Sequence, residues 1–342
     1  MIYTRSPYYI DIDGTNYEFA GRYELKLYVW KGDSNAVPSL PNYIFKSSLV
    51  NKKTSINISN YINDSLSNSN PIVTSGIIDN DEVVNIRVET ILMTAEDQYI
   101  PLTDNVQTNI AIYGYTLFQD GKNFTPSPDS DYINLFTTSE QSAYNDLILG
   151  FFTSNFIKIT AQPSGTILIN TTFNRSSTLS NKKTYYLSMT DLKNLNDEYL
   201  VVENGSDPTI INLVKECKHE PITCLFKNRW GAFQTFTFFK KHTENIRTTK
   251  NNFTRKSYDR QNYDYNVNGV KSMKLNTGYY SQEVNKVIEE LLLSEDVFLK
   301  IGNGYIPYNI ESSSLEFKTK LNDKLISYEL EFTQAFNTIN NV

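Results

Sequence analysis

Residues 215–240 read KECKHEPITCLFKNRWGAFQTFTFFK, and the fold follows from this stretch. Two runs of apolar, aromatic and β-branched residues flank a short polar segment, a pattern that predicts a β-hairpin. The turn is predicted at residues 229–232, Arg-Trp-Gly-Ala, because Gly231 can adopt a positive φ. Leu225 and Phe226 are expected to lie across from phenylalanines of the second strand, namely Phe233, Phe236 and Phe238.

Alternation of apolar and polar residues with a period of two recurs along the rest of the chain, as in half-buried strands. The alternating segments are residues 23–30, 84–95, 109–118, 166–173, 184–189, 315–320 and 325–332. The last two are joined by residues 321–324, Leu-Asn-Asp-Lys, which predicts a carboxyl-terminal hairpin. Many short strands with polar connections predict a mainly β fold of β-sandwich domains with a few short accessory helices.

One longer helix is predicted near residues 281–293, SQEVNKVIEELLL, with Ser281 as its N-cap. Its apolar residues recur every three or four positions, which predicts a helix that covers a sheet. These residues are Val284, Val287, Ile288, Leu291 and Leu292. Shorter helices are predicted at residues 59–66, 139–149 and 189–195.

The stretch from Gly121 to Tyr132 is rich in loop-forming residues and contains Pro126 and Pro128. We therefore predict an amino-terminal β domain at residues 1–120 and a loop-rich connection with a short helix at 121–155. A carboxyl-terminal β domain with an accessory helix is predicted at residues 156–342.

The composition of the 342 residues favours a binding or structural role over an enzyme. The net charge is −6, which argues against a whole protein that binds nucleic acid through its charge. Two cysteines exclude a disulfide scaffold and a four-cysteine zinc site, and two histidines leave little room for histidine-based catalysis. We predict no catalytic residue, cofactor or metal, and no targeting or membrane segment.

Residues 11–15, Asp-Ile-Asp-Gly-Thr, match the start of haloacid-dehalogenase-type phosphatases, in which one aspartate attacks phosphorus and the next acts as acid and base. That chemistry needs a parallel sheet with helices, whereas an alternating strand follows the motif here. The simpler interpretation is a hairpin turn at Asp13-Gly14.

Cys217, His219 and Cys224 could together supply three zinc ligands, although their spacing matches no standard structural zinc pattern. The simpler interpretation is a core cysteine beside a half-exposed histidine, because free cysteine is among the most buried residue types.

Residues 240–260 are predicted to form a basic loop that contacts either DNA or an acidic neighbour. The alternative is a solvated or subunit-spanning loop. Together with the hairpin turn, the segment supplies our candidate interaction residues. They are Arg229, Trp230, Lys240, Lys241, Arg247, Lys250, Arg255, Lys256 and Arg260.

The hairpin sequence at 215–240 is followed by Leu-Asn-Thr-Gly-Tyr-Tyr at 275–280, by the helix that ends in Leu-Leu-Leu-Ser at 291–294, and by Tyr-Glu-Leu-Glu-Phe at 328–332. This string of elements resembles structural proteins of the tail hub or tail-tube type from crAss-like tailed bacteriophage virions. Ser-Pro-Tyr-Tyr at 6–9 fits the same family, and the resemblance is sparse between about 120 and 200.

The resemblance implies a virion protein of the tail, made in the host cytoplasm, that forms a ring of identical copies. Its partners would be neighbouring ring, muzzle or fibre proteins, with transient contact to the passing genomic DNA. The family contributes no catalytic residues. Two other functions are considered: a fibre adaptor or carbohydrate-binding receptor module, for which Trp30 and Trp230 are the tryptophan candidates, and an enzyme acting through Asp11 and Asp13.

Overall fold

A computed structural model describes the chain in two levels of detail. Backbone and side chains are described at residues 1–32, 35–66, 83–101, 105–124, 220–256, 258, 260–312, 315–317 and 326–339. For residues 76–80, 132–134, 148–153, 158–162, 183–188, 199–203 and 209–212 the strand backbone alone is described.

The amino-terminal part forms one sheet and one ribbon, and it contributes the strand β6 to a further sheet. Its elements are β1 (Ile2–Tyr3), β2 (Tyr9–Asp13), β3 (Arg22–Trp30), β4 (Tyr43–Ser48), β5 (Lys53–Asn57), α1 (Ser59–Asn63), β6 (Gly76–Asn80), β7 (Val84–Met93), β8 (Tyr99–Ile100) and β9 (Val106–Ile112). The sheet has the order β1-β9-β7-β3-β4, with β8 beside β7, while β2 and β5 pair as a separate ribbon. Apolar side chains of the sheet pack with Ile58 and Ile62 around α1 to form the first core.

The middle of the chain contributes six described strands. They are β10 (Tyr132–Asn134), β11 (Ile148–Thr153), β12 (Lys158–Gln162), β13 (Lys183–Ser188), β14 (Tyr199–Glu203) and β15 (Thr209–Asn212). One sheet has the order β10-β11-β13-β6 and another the order β12-β14-β15. Since β6 pairs with β13, the first of these sheets joins segments from both predicted domains.

The carboxyl-terminal part forms a seven-stranded antiparallel sheet covered by a helix. Its elements are β16 (Ile222–Lys227), β17 (Phe233–Phe238), β18 (Thr243–Thr254), β19 (Asn262–Asn276), α2 (Val284–Leu292), β20 (Val297–Ile301), β21 (Gly304–Ile310) and β22 (Glu329–Gln334). The strand order is β17-β16-β20-β21-β22-β19-β18. Side chains of α2 pack against this sheet in a second core.

The structure confirms the mainly β fold with several sheets and few helices. The predicted domain boundaries stay a prediction. Within the described residues neither α1 nor α2 has the length and apolar character of a membrane span.

The hairpin predicted at residues 215–240 is present as β16 and β17, but its register differs from the prediction. Cys224 lies opposite Phe236 and Ile222 opposite Phe238, whereas Leu225 lies opposite Thr235. All residues of both strands are buried, so the hairpin has two covered faces. One face joins the second core, and the other, with Leu225 and Phe233, joins a third cluster that includes Met1, Tyr3 and Ile112.

Two predicted helices differ from the structure. The long helix begins at Val284 with Glu283 as its N-cap, so Ser281 lies before the helix. The predicted helix at 139–149 overlaps strand β11 at Ile148 and Leu149, and the rest of it lies outside the described residues. The predicted helix at 189–195 and the predicted strand at 166–173 also lie outside the described residues.

The carboxyl-terminal hairpin was also wrong. The described partners of β22 are β19 on one edge and, at residues 332–334, β21 on the other. The described residues of that segment, 315–317, are not in a strand.

Two leucines, one in α2 and one just after it, offer a matched test of the packing of the helix. Leu291 is fully buried in the second core, whereas Leu293, just after the helix, is 47% exposed. We expect Leu291→Ala to lower the free energy of unfolding by about 2–5 kcal/mol through cavity formation. Leu293→Ala should cost less than about 1 kcal/mol. Urea unfolding followed by circular dichroism measures both, and equal losses would contradict the packing described.

Candidate interaction surface

The turn of the first hairpin is inserted against the amino-terminal part of the chain. Gly231 has a φ of 79°, and a Cβ atom there would lie 2.2 Å from the carbonyl oxygen of Tyr113. At Gly114 an added Cβ would meet the Tyr3 ring at 2.5 Å and the Arg229 carbonyl oxygen at 2.8 Å. The amide of Tyr115 donates to the Arg229 carbonyl at 2.9 Å. Two glycines therefore permit a close backbone contact between the two parts.

Arg229 and Trp230 lie in this internal contact. The guanidinium of Arg229 pairs with the Asp120 carboxylate, and it sits 5.0 Å from the centre of the Trp230 ring. The Trp230 ring is 6.0 Å from that of Tyr3, and burial raises the pKa of Tyr3. Both candidate residues therefore bind the amino-terminal part of their own chain, and a contact with a partner stays a prediction.

A second charged contact surrounds Arg5 at the end of α2. Its guanidinium donates to the Leu293 carbonyl at 3.0 Å and pairs with Glu295 at 2.9 Å. It also lies 5.6 Å and 5.1 Å from the ring centres of Tyr113 and Tyr115. Burial raises the pKa of both tyrosines, and the Tyr113 hydroxyl hydrogen-bonds Glu295. These groups join the amino-terminal sheet to α2.

The basic segment predicted as a loop is instead one strand of a long hairpin. Residues 243–254 pair with 262–274 over almost their whole length, and every residue of β18 is exposed. The loop interpretation was wrong because both faces of the strand are exposed, so the sequence lacks the apolar alternation that marks a half-buried strand. We call residues 243–274 the arm.

The base of the arm belongs to the seven-stranded sheet, and its outer part does not. β22 pairs with β19 only at residues 272–276. The amide of Thr338 donates to the Gly269 carbonyl at 2.7 Å, and Asn268 exchanges hydrogen bonds with Ile339. Beyond Asn268, the described residues of β18 and β19 pair only with each other. The outer arm is a two-stranded ribbon.

One side of this ribbon carries an aromatic cluster. Phe253 stacks on Tyr263 with ring centres 5.3 Å apart and meets the edge of Tyr265 at 5.7 Å. Phe253 and Tyr265 are 47% and 46% exposed. Strand alternation places Arg247 on the same side as Phe253. Tyr263 and Tyr265 were missed from the sequence, although a Tyr-x-Tyr spacing puts both rings on one face of a strand.

The other side of the ribbon is polar, and a bulge lies between the arm's base and tip. Lys250 pairs with Asp264 at 2.8 Å. The register shifts between Thr249 and Asn251, where β19 has one extra residue. Asn266 adopts a φ of 50° there, a left-handed conformation that asparagine tolerates better than most residues.

The structure brings most of the predicted basic residues to the arm or its base. Lys240 lies 4.7 Å from the ring centre of Tyr279, and Lys241 is exposed beside it. Arg260 lies 5.2 Å from the ring centre of Tyr263. Arg247, Arg255 and Lys256 are exposed, and within the described residues no acidic side chain pairs with them. Arg229 and Trp230 stand apart from this group.

The candidate zinc ligands are only partly described. Cys217 and His219 lie outside the described residues, so the metal interpretation stays a hypothesis. Cys224 is fully buried in the second core, where burial raises the pKa of its thiol. Cys224 is thus a core residue, whereas the core interpretation of the cysteine beside His219 stays a prediction.

Asp11 and Asp13 lie on the antiparallel β2–β5 ribbon, not at the end of a parallel strand. Asp11 pairs with Lys122 at 2.7 Å and Asp13 with Lys53 at 2.8 Å, and these hydrogen bonds hold the pKa of each carboxyl below its usual range. A turn follows Asp13, whose side chain accepts from the Thr15 amide. The strand β2 pairs with β5 and not with the strand that follows the turn, so the predicted hairpin at Asp13-Gly14 was wrong.

Glycine 231 provides a test of the internal contact. Gly231→Ala should lower the free energy of unfolding by at least about 3 kcal/mol, because the new methyl group would overlap the Tyr113 carbonyl. Gly302 also has a positive φ, 62°, but no atom lies within 4 Å of an added Cβ. Gly302→Ala should therefore cost only about 1–2 kcal/mol. Similar losses for both variants in urea unfolding would argue against the contact.

A double-mutant cycle tests the Arg229–Asp120 pair, whose side chains are 18% and 20% exposed. We expect a coupling free energy of about 1–3 kcal/mol between Arg229→Met and Asp120→Asn, since each single change leaves a mostly buried charge without its partner. The cycle is measured by urea unfolding, and additive losses would show that the pair is not coupled.

Comparison with known proteins does not assign the chain to a family. No family model matches it, and no curated protein matches it either.

Proposed function

We propose that this chain is a structural protein of a bacteriophage tail. In this proposal it assembles with copies of itself into a closed ring, of the tail hub or tail-tube type. The ring links neighbouring tail components, such as ring, muzzle or fibre proteins, and forms part of the conduit for the genome. The protein acts by assembly and has no catalytic role.

The observation that carries the proposal is the arm. A two-stranded ribbon has little stability of its own in water. Here it presents aromatic rings to the surroundings, and among the described strands β18 is an edge strand whose outer backbone groups face away from the sheet. Tyrosine, phenylalanine and arginine are enriched in protein interfaces. An arm of this kind suits a protein whose outer surfaces are covered by neighbours.

Two further features support the same function. The resemblance of the hairpin, the helix and the final strand to tail proteins points to a virion component. The net charge of −6 suits a conduit through which DNA slides, since a negative wall does not retain phosphates.

The carbohydrate-binding alternative gains no specific observation. Trp230 packs against Tyr3 and the guanidinium of Arg229, inside the contact between the two parts of the chain. An enzyme acting through Asp11 and Asp13 is likewise not favoured. Both carboxylates are paired with lysines on an antiparallel ribbon.

Self-assembly is tested by measuring the mass of the purified full-length protein over a range of concentrations, with mass photometry followed by negative-stain imaging. We expect closed rings of one stoichiometry. A monomer at every concentration would contradict the proposal. A glycan array would then test the adaptor or receptor-module alternative.

A further inference from the structure

We propose that the arm of each copy docks on the acidic body of the next copy, so that subunits associate head to tail. This inference rests on the proposed function, because it names the contact that would build the ring. The contact would combine the aromatic side of the outer arm with its unpaired basic residues.

The arm is long enough to reach a neighbour. Within the described part of the chain, its last hydrogen-bonded support is at Asn268, which is bonded to Ile339. From Asn268 to Asn262 the strand continues for six residues, about 20 Å at the usual rise of a β-strand. Tyr258, which is fully exposed, lies beyond it. The tip therefore projects well past the second core.

The outer arm has the composition of a protein contact. Phe253, Tyr263 and Tyr265 form one cluster on the side that also carries Arg247. Stacked rings keep few conformational degrees of freedom, so ordering them in an interface costs little entropy. Such a cluster, half exposed in one copy, supplies an apolar centre that a neighbour can cover.

The charge distribution points to the body of the same protein as the docking surface. The arm, residues 243–274, contains seven basic and three acidic residues, a net charge of +4. The whole chain carries −6, so the remainder carries −10. The arm is thus the basic part of an acidic protein. Attraction between opposite charges would guide the arm onto a body and away from other arms.

This asymmetry also decides the geometry of association. An isologous dimer through the arms would bring two groups of net charge +4 together, and like-charge contact is unfavourable. Docking of an arm on a body joins two different surfaces, which is a heterologous contact. Heterologous contacts generate rings when the rotation closes.

A nucleic acid is a less suitable occupant. The arm also contains Glu244, Asp259 and Asp264, and Lys250 is already neutralised by Asp264. Binding to the phosphates of a duplex would also leave the aromatic cluster, which lies on the same side of the arm as Arg247, without a function. Binding of duplex DNA by the arm is nevertheless a measurable outcome of the test.

Two variants of the full-length protein remove the two components of the contact. Phe253→Thr with Tyr263→Thr removes the stacked pair but keeps residues with a high strand propensity. Arg255→Glu with Lys256→Glu reverses two unpaired charges near the tip. Each variant should weaken association at least tenfold by mass photometry, and the charge variant should lose its effect in high salt.

Matched controls separate the contact from general effects. Asn252→Ser with Asn262→Ser changes the opposite, polar side of the same ribbon. Phe118→Ser removes a fully exposed aromatic ring outside the arm. Both controls should associate within twofold of the wild type. All four variants should retain the circular dichroism spectrum and melting temperature, because none of the altered side chains belongs to a described core.

A photo-crosslinking residue in place of Tyr258 locates the docking surface. We expect crosslinks to a second copy, at residues outside 240–274. Crosslinks from arm to arm would overturn the head-to-tail geometry. Rings that form equally well in both arm variants would overturn this inference alone and leave the proposed function standing.

A wild-type protein that stays monomeric would instead overturn both proposals.

Fluorescence anisotropy with a labelled DNA duplex measures whether the protein binds nucleic acid. The double variant Arg255→Glu with Lys256→Glu is compared with the wild type in this assay. If the wild type binds the duplex tightly and the variant does not, while both have the same oligomer mass, the arm is a nucleic-acid contact. That result would overturn docking on a second copy.

Discussion

The rest of the structure depends on one constraint: the first hairpin is buried on both of its faces. Ile222, Cys224 and Phe226 face the core under α2, whereas Leu225 faces the cluster with Tyr3 and Ile112. A strand covered on both sides cannot shift its register by one residue without exchanging the two sets of side chains. Two further features fix the hairpin in this register. One is the turn at Gly231, and the other is the buried Lys227, whose amino group lies 4.7 Å from the centre of the Tyr113 ring. The hairpin thus packs against both the amino-terminal and the carboxyl-terminal core.

The features predictable from the sequence are those with strong local signals. The hairpin at 222–238 was found because its apolar runs flank a Trp-Gly turn, and α2 because Val284, Val287, Ile288 and Leu291 follow the helical period. The register of the hairpin was not predictable, since both of its faces are apolar and neither marks the inner side. The start of α2 was predicted too early because Ser281 is a common N-cap residue, although it lies before the first turn of the helix.

Non-local pairing explains the remaining errors. The segment 325–332 was assigned a local partner, whereas β22 joins β19 and β21, which come earlier in the chain. The arm was missed as a strand because it is exposed on both sides and rich in asparagine and charge. Of the candidate site, the basic residues were found by composition alone. The aromatic cluster was not, because it combines Phe253 with two tyrosines of the opposite strand.

The bulge at Asn266 limits how the arm can change its length during evolution. In a ribbon, successive side chains point to opposite sides. An insertion or deletion of one residue therefore moves the side chain of every residue beyond it to the opposite side. The extra residue of β19 at the bulge already sets which side Tyr263 and Tyr265 occupy. An arm that keeps its aromatic side can therefore gain or lose residues in each outer strand only in pairs. Homologues of this chain should show arms whose strand lengths differ by even numbers.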